Sequence, residues 1–306
     1  MNKKISIIAQ CYNEEKTLKH YYKEMNTIMN KMDYIDFELI FIDDASRDNS
    51  RKIIKELSKK DKRVKYIFMS RNFGREACMM AGFKYATGDY LTTMDIDLQD
   101  PPKLLIKMEK ALSEGYDIAA AKATSRKGYS LIHRLCIKAY YKIINKISNT
   151  KMIDGQREYR LMNRKVISAI LEHKEYNLFN KALLNDVGFK IKWIEYENEE
   201  RIAGKTKFNF RRMIGYSIKG IVAYSNFPLI LLIYLGLISK VASLLTFIIF
   251  LVNKNIYLLI TSLFTLLLGV ILLSSGILGL YIYQIHLEVK NRPLYLIDET
   301  NLKISK

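Results

Sequence analysis

Two aspartates, Asp95 and Asp97, close the run that begins at Tyr90, and Gln99 stands two residues further on. Side chains at i and i+2 of an extended chain point the same way, so both carboxylates can face one cation. Without a cation, neighbouring like charges repel. A small set of hard oxygens suits Mg2+ or Mn2+ shared with substrate phosphates. Gln99, of the same parity, can add a third oxygen. A second acidic pair, Asp43-Asp44, follows the apolar run 37–42. Such a pair can bind a ligand or cap the next helix, and one member can do each.

The elements that must place these acids read as alternating strand and helix. Strands are predicted at 5–9, 37–42, 64–69, 90–94 and 117–121, and helices at 13–32, 50–60 and 75–86. Ser46-Arg47-Asp48 carries an N-cap signal for the second helix, Gly88-Asp89 a turn, and Pro101-Pro102 the opening of a further helix. This alternation implies a mostly parallel sheet. Ligands of such sheets lie outside the carboxyl ends of the strands, where both acidic pairs stand.

Composition bounds the class. The 306 residues are 49% apolar and 26% charged, with 4 Pro and 14 Gly, which excludes a disordered or fibrous chain. Cys11, Cys78 and Cys136 are far apart, and His20, His133, His173 and His286 are scattered. This excludes a disulfide scaffold and a structural zinc site of the usual spacing, and free thiols suit a reducing compartment. The near-zero mean hydropathy hides two long apolar runs, 226–252 with Lys240 its only charge and 256–285 with none. Each exceeds the roughly 20 residues that cross a hydrocarbon core, and they read as a transmembrane hairpin. The early apolar run 5–11 is too short for a signal peptide.

Of the net charge of +18, residues 226–306 carry +3 and residues 1–225 carry +15. Arg201, Lys205, Lys207, Arg211, Arg212 and Lys219 precede the first run, and Lys290 and Arg292 follow the second. The positive-inside rule then places both ends, and the catalytic part, on the cytoplasmic side of a multi-pass cell-membrane protein. No nucleic-acid motif accompanies the charge, so the expected partner is the lipid surface. Between Lys207 and Ala223, Phe208, Phe210, Met213, Ile214, Ile218 and Ile221 oppose Arg211, Arg212 and Lys219, the pattern of an interfacial amphipathic helix. The same pattern also fits a helix packed on the sheet. The expected organisation is a catalytic domain at 1–204, an interfacial helix at 205–225, a two-helix hairpin at 226–285 and a cytoplasmic tail at 286–306.

The runs IIAQCYNEE, IDDAS and GDYLTTMDIDLQDPP resemble glycosyltransferase family 2. EYRLMNRKV, RIAGKTKFNF and GILGLYIYQIHLEVKNRPLY resemble its polyprenyl-phosphate branch, which includes dolichyl-phosphate mannose synthase and the bactoprenol glucosyltransferases. The resemblance covers nearly the whole chain. It implies a GT-A fold, α/β and Rossmann-like, followed by the interfacial helix and the transmembrane hairpin. It implies that Tyr12 and Asp44 contact the nucleobase with Gln10, Glu14 and Asp43 beside them. Arg71 approaches the donor, and Asp95, Asp97 and Gln99 hold Mg2+ or Mn2+ on its diphosphate. Arg201, Lys205 and Lys207 meet the diphosphate or the lipid phosphate, and Arg126 and Arg134 the lipid phosphate. Each of these cations is otherwise ordinary solvated surface. The family has Asp where this chain has Glu158, and Glu where it has Leu280.

The implied reaction is transfer of a monosaccharide from a nucleotide sugar, by preference a UDP-sugar, to polyprenyl phosphate such as undecaprenyl phosphate. The product supplies cell-envelope glycan modification, with a flippase and a downstream lipid-linked-sugar transferase as partners and room for a homo-oligomer. Asp95, Asp97 and Glu158 are the expected catalytic acids. Asp154 and Glu158 are open between sugar contact, a base for a hydroxyl acceptor, and pairing with Arg157, Arg160 or Arg164. A phosphate monoester, with a second pKa of about 6, is already ionised and needs orientation more than deprotonation. Inversion by direct displacement follows. A processive synthase of the same fold is the alternative, but Gln156-Arg157-Glu158-Tyr159-Arg160 lacks the Q-x-x-R-W pattern. A non-enzymatic membrane adaptor is opposed by the presence of Asp44, Asp95 and Asp97.

Overall fold

The computed structural model describes residues 3–124, 145–146, 155–173, 188–197 and 256–302, with seven isolated positions between 229 and 248. An eight-stranded sheet carries the chain: β1 (Lys4–Cys11), β2 (Asp36–Asp43), β3 (Val64–Met69), β4 (Tyr90–Asp95), β5 (Ile118–Ala123), β6 (Gln156–Asn163), β7 (Ile191–Tyr196) and β8 (Ile297–Thr300). Helices α1 (Leu18–Lys31), α2 (Ser50–Lys60), α3 (Arg75–Tyr85), α4 (Leu104–Ser113), α5 (Arg164–Glu172) and α6 (Ile256–Val289) complete the described elements.

Strand order is β7-β5-β6-β4-β1-β2-β3-β8. β1 lies parallel between β2 and β4, and β3 extends the parallel block. The expectation of a mostly parallel sheet needs correction, because β6 pairs antiparallel with both β4 and β5, and β8 antiparallel with β3. Both strands come from segments first read only as motifs or tail. Their alternation is short and broken by charges, so periodicity alone did not expose them.

Strand alternation sorts two cores. Ile5, Ile7, Ala9, Leu39 and Phe41 face one side and pack with Leu18, Tyr21 and Met25 of α1, Ile54 of α2 and Leu104, Leu105 and Met108 of α4. Ile8, Ile40 and Ile42 face the other and pack with Cys78, Met79 and Phe83 of α3 and Val166, Ile167 and Ile170 of α5. β1 and β2 are therefore apolar on both faces, as buried parallel strands require.

The two-span hairpin and the multi-pass reading built on it are corrected. Among the described residues one helix, within α6, is long and apolar enough to cross a membrane: Gly269–Val289. In the first run only Leu229, Leu232, Tyr234, Leu235, Ile238, Val241 and Ile248 are described. The proposed interfacial helix at 205–225, and Lys240, lie outside the described residues. At 1.5 Å per residue the 34 residues of α6 extend about 51 Å, against roughly 30 Å of hydrocarbon. Phe264, Ile271, Ile282 and Tyr283 on it are exposed. After α6 the chain returns to the sheet, so the segment expected as a tail contributes edge strand β8.

Helix α3 presses directly on the strands at Gly82, where an added Cβ would stand 2.5 Å from Ile8 Cγ2 and 2.9 Å from Ile42 Cδ1. Gly82→Leu is therefore expected to destabilise the fold by about 1–3 kcal/mol through overpacking. A thermal melt matching that of the wild type would show that α3 does not pack this closely.

Candidate active site

The parallel register gathers the acidic strand ends on one rim. Gln10 lies beside both Ile42 and Asp95, and Cys11 beside Asp43. Three residues without a glycine's freedom adopt positive φ just past these strands: Asn13 at 55°, Ala45 at 60° and Leu98 at 56°. Left-handed backbone at such residues is uncommon and clusters where a loop must turn sharply at a functional rim.

The first two loops are laced together. Asn13 N–H donates to Ser46 Oγ (2.8 Å), Glu14 N–H to Ser50 Oγ (3.0 Å) and Glu15 N–H to Asp48 Oδ2 (3.1 Å), while Arg47 N–H donates to Asn13 Oδ1 (2.8 Å). Ser46 and Asp48, expected to cap α2, thus spend their oxygens largely on the β1–α1 loop. Tyr12 and Glu14 are half-buried here, and Glu14 Oε2 accepts from Thr17 Oγ1 (2.9 Å). Gln10 Oε1 is buried with no hydrogen-bond partner among the described residues. An unmet buried acceptor costs about 1–3 kcal/mol, and a ligand donor would relieve it.

Asp43 and Asp44 diverge, as alternation dictates. Asp43 turns toward α2 and accepts from Ser46 N–H (3.0 Å) and from Arg51 Nε (2.6 Å). Arg51 also reaches Met69 O (2.5 Å) and Asp298 Oδ2 (2.9 Å), tying β2, β3 and β8 together. Asp44 turns toward α3 and accepts from Phe73 N–H (2.7 Å) and Gly74 N–H (3.0 Å). Burial pushes its carboxyl above the usual range, and the two amides oppose that shift. Arg71 is exposed on the same loop, its guanidinium 4.0 Å from the Phe73 ring.

Asp95 is the last residue of β4, and Asp97 lies in the turn beyond it. Strand alternation therefore does not extend to Asp97 and Gln99; the turn through Leu98 orients them. Asp97 Oδ1 accepts the Gln99 N–H (3.2 Å). The β4–β6 register, continued three residues past Thr92 and Leu161, sets Glu158 opposite Asp95. Thr93 Oγ1 donates to Glu158 O (2.9 Å). One guanidinium spans the two acids: Arg75 Nη2 donates to Asp95 Oδ1 (2.7 Å) and to Glu158 Oε2 (3.0 Å). Asp95 first, then Glu158, holds Arg75 firmly protonated. Beneath Glu158, Arg160 is fully buried and 5.6 Å over the Trp193 ring, and burial pushes its pKa down to about 10.

No group of three or more His, Cys, Asp or Glu side chains suited to a metal occurs among the described residues. A cation shared with a diphosphate needs only one or two carboxylates, and the half-buried Asp95 and Asp97 supply two hard donors. The donor set thus fits Mg2+ or Mn2+.

The sheet brings Gln10, Tyr12, Glu14, Asp43, Asp44, Asp95, Asp97, Gln99 and Glu158 to one rim, with Arg71 on an adjacent loop. Arg126, Arg134, Asp154, Arg201, Lys205 and Lys207 lie outside the described residues. Sequence reasoning missed Arg75 and Arg51. A signal existed for Arg75: a cation in the first turn of a helix opposes the helix dipole, so its placement calls for nearby acids. It also missed Asp100, which pairs with Arg157 (3.7 Å) and accepts from Tyr196 Oη, fastening the turn after Gln99 to β6 and β7.

Because both Asp44 oxygens hold the loop before α3, Asp44→Ala is expected to speed amide exchange at Phe73 and Gly74. Loss of a hydrogen bond to a charged acceptor, about 1.5–3 kcal/mol, corresponds to roughly tenfold or more. Unchanged exchange at both amides would mean that the loop is held by other contacts.

Comparison with known proteins identifies the family. The model of glycosyl transferase family 2 matches residues 6–171. A prophage bactoprenol glucosyl transferase homolog of Escherichia coli is 36% identical over 96% of this chain and 98% of its own length. The bactoprenol glucosyl transferase of Shigella phage SfII is 34% identical over 97% and 98%. Among solved structures, the mannosyltransferase PcManGT of Pyrobaculum calidifontis, in complex with GDP-Man and Mn2+, shares the fold with a TM-score of 0.50. It is 14% identical, over 72% of this chain and 63% of that one. With a sheet rim that collects its acids as described and relatives matched nearly end to end, the chain belongs to glycosyl transferase family 2 and is a glycosyltransferase.

Proposed function

We propose that this glycosyltransferase moves a monosaccharide from a UDP-sugar to a polyprenyl phosphate, with inversion at the anomeric carbon. The observation that carries the reading is the convergence of Asp95, Asp97 and Glu158 at one sheet rim, beside the orphaned acceptor of Gln10. The lipid acceptor is supported by the bactoprenol transferases of similar sequence and by the apolar, exposed face of α6.

In this reading Tyr12 and Asp44, with Gln10, Glu14 and Asp43, receive the nucleoside. Asp43 and Asp44 are already oriented by Arg51 and by the amides of Phe73 and Gly74, so the pocket is formed before the donor arrives. Arg71 offers its charge to the diphosphate from an exposed loop. Asp95 and Asp97, with Gln99, would hold Mg2+ or Mn2+; when bound, such an ion supplies positive charge against the departing diphosphate. Glu158 lies across from Asp95 and is proposed to contact the sugar. Arg126, Arg134, Arg201, Lys205 and Lys207 are proposed to draw in the acceptor phosphate, which attacks the anomeric carbon directly and needs no strong base. The product, a sugar on a lipid phosphate, is an activated donor, so a further transferase must consume it.

The purified full-length chain, given undecaprenyl phosphate, a panel of sugar nucleotides and Mg2+ or Mn2+, is expected to form a chloroform-soluble glycolipid with one donor. Sugar released only to water, with no lipid product from any donor, would defeat the proposal. Asp97→Asn is expected to reduce transfer at least a hundredfold while leaving the circular dichroism spectrum unchanged; full activity in that variant would refute the metal assignment.

A further inference from the structure

Arg75 occupies an unusual place. It is the first residue of α3, after Gly74 at φ 93°, where the helix dipole disfavours a cation. Its guanidinium joins acids from two different strands, Asp95 on β4 and Glu158 on β6, at 2.7 and 3.0 Å. The side chain is 53% exposed, that of Asp95 37% and that of Glu158 23%. An ion pair so open to water contributes little to folding. Its geometry instead addresses a local problem. Two carboxylates held opposite one another repel unless a positive charge stands between them. Asp95 is also one of the two carboxylates proposed for the divalent cation, and a guanidinium and a divalent cation on the same carboxylate repel each other.

We propose that Arg75 is an exchangeable counter-cation of the active site, holding Asp95 and Glu158 in the donor-free enzyme and transferring to the donor diphosphate when the metal-bound nucleotide arrives. The inference rests on the assignment of Asp95 and Asp97 as metal ligands. A guanidinium offers forked donors that suit phosphate oxygens, and its half-exposed position gives it room to swing. The charge that keeps the empty acids together then becomes charge that stabilises the leaving diphosphate. Release of Asp95 is coupled to arrival of the donor, so the free enzyme binds metal weakly and the nucleotide complex binds it well.

Two titrations of the full-length protein test this: Mn2+ alone, followed by paramagnetic resonance of the free ion, and UDP at saturating Mn2+, followed by calorimetry. Arg75→Gln is expected to bind Mn2+ about tenfold more tightly than the wild type without nucleotide, and UDP about tenfold more weakly. Asp97→Asn serves as the control for the site itself. If it binds Mn2+ like the wild type, the metal assignment fails. If it loses Mn2+ while Arg75→Gln gains no affinity for Mn2+, the metal assignment stands and the role of Arg75 is overturned. Tighter Mn2+ with unchanged UDP affinity would overturn the transfer to diphosphate. Should Arg75→Gln not fold, Arg75→Lys, which keeps the charge but loses the fork, is expected to shift both affinities in the same directions by a smaller factor; no shift in either overturns the proposal.

Discussion

Crowding of negative charge at one rim of the sheet is the constraint to which the rest of the site responds. Asp43, Asp44, Asp95, Asp97, Asp100 and Glu158 all fall at or just beyond strand ends that the β1-centred register holds side by side. Left unmatched, such carboxylates would repel and draw water into the sheet. Five of these acids meet partners from other elements as follows. Arg51 meets Asp43, the amides before α3 meet Asp44, Arg75 meets Asp95 and Glu158, and Arg157 meets Asp100. Each partner also fixes a loop or helix end, so neutralising the rim and building the pocket are one process.

The two acidic pairs differ in how far they are committed. Asp43 is fully buried and hydrogen-bonded within its own loop and to Arg51, and Asp44 is nearly so. Their hydrogen bonds hold the loops before α2 and α3. Asp95 and Glu158 meet a half-exposed arginine that belongs to neither apolar core. Buried, braced acids on one side and more exposed acids on the other suit a transferase. In the proposed reaction preformed polar groups would receive the nucleoside, while the charge balance around the diphosphate changes as the sugar leaves.

The C-terminal part of the chain enters this arrangement from an unexpected direction. After the long apolar helix α6, the chain comes back to lay β8 along β3. Asp298 and Glu299 on β8 meet Arg51 and Lys55 of α2, and Arg51 is the same residue that meets the buried Asp43. The apolar helix is thereby tied within a few residues to the layer that shapes the donor side. The chain that leaves this long apolar helix thus meets, through Asp298, the same arginine that holds the buried Asp43.

Local pattern was enough to identify the acids and most of the strands that carry them. β1, β2 and β4 are short apolar runs ending in polar or acidic residues, and both that periodicity and the D-x-D spacing survive in any one-dimensional reading. The motifs in order were also enough to identify a glycosyltransferase of family 2. Pairings between segments far apart in the chain were not legible. Nothing in the sequence around Glu158 says that β6 runs antiparallel beside β4, so its place opposite Asp95 emerges only from the ladder. Nothing local says that Arg75 spans both acids or that Arg51 reaches β8. Nor does a count of apolar residues decide how many continuous spanning helices exist, and the described structure has one where two had been read. Sequence determines which face of its own element a side chain takes, through the periods of strand and helix. Which distant charge it then meets is decided by tertiary packing, because like charges brought together by the register must find their neutralising partners wherever the fold supplies them.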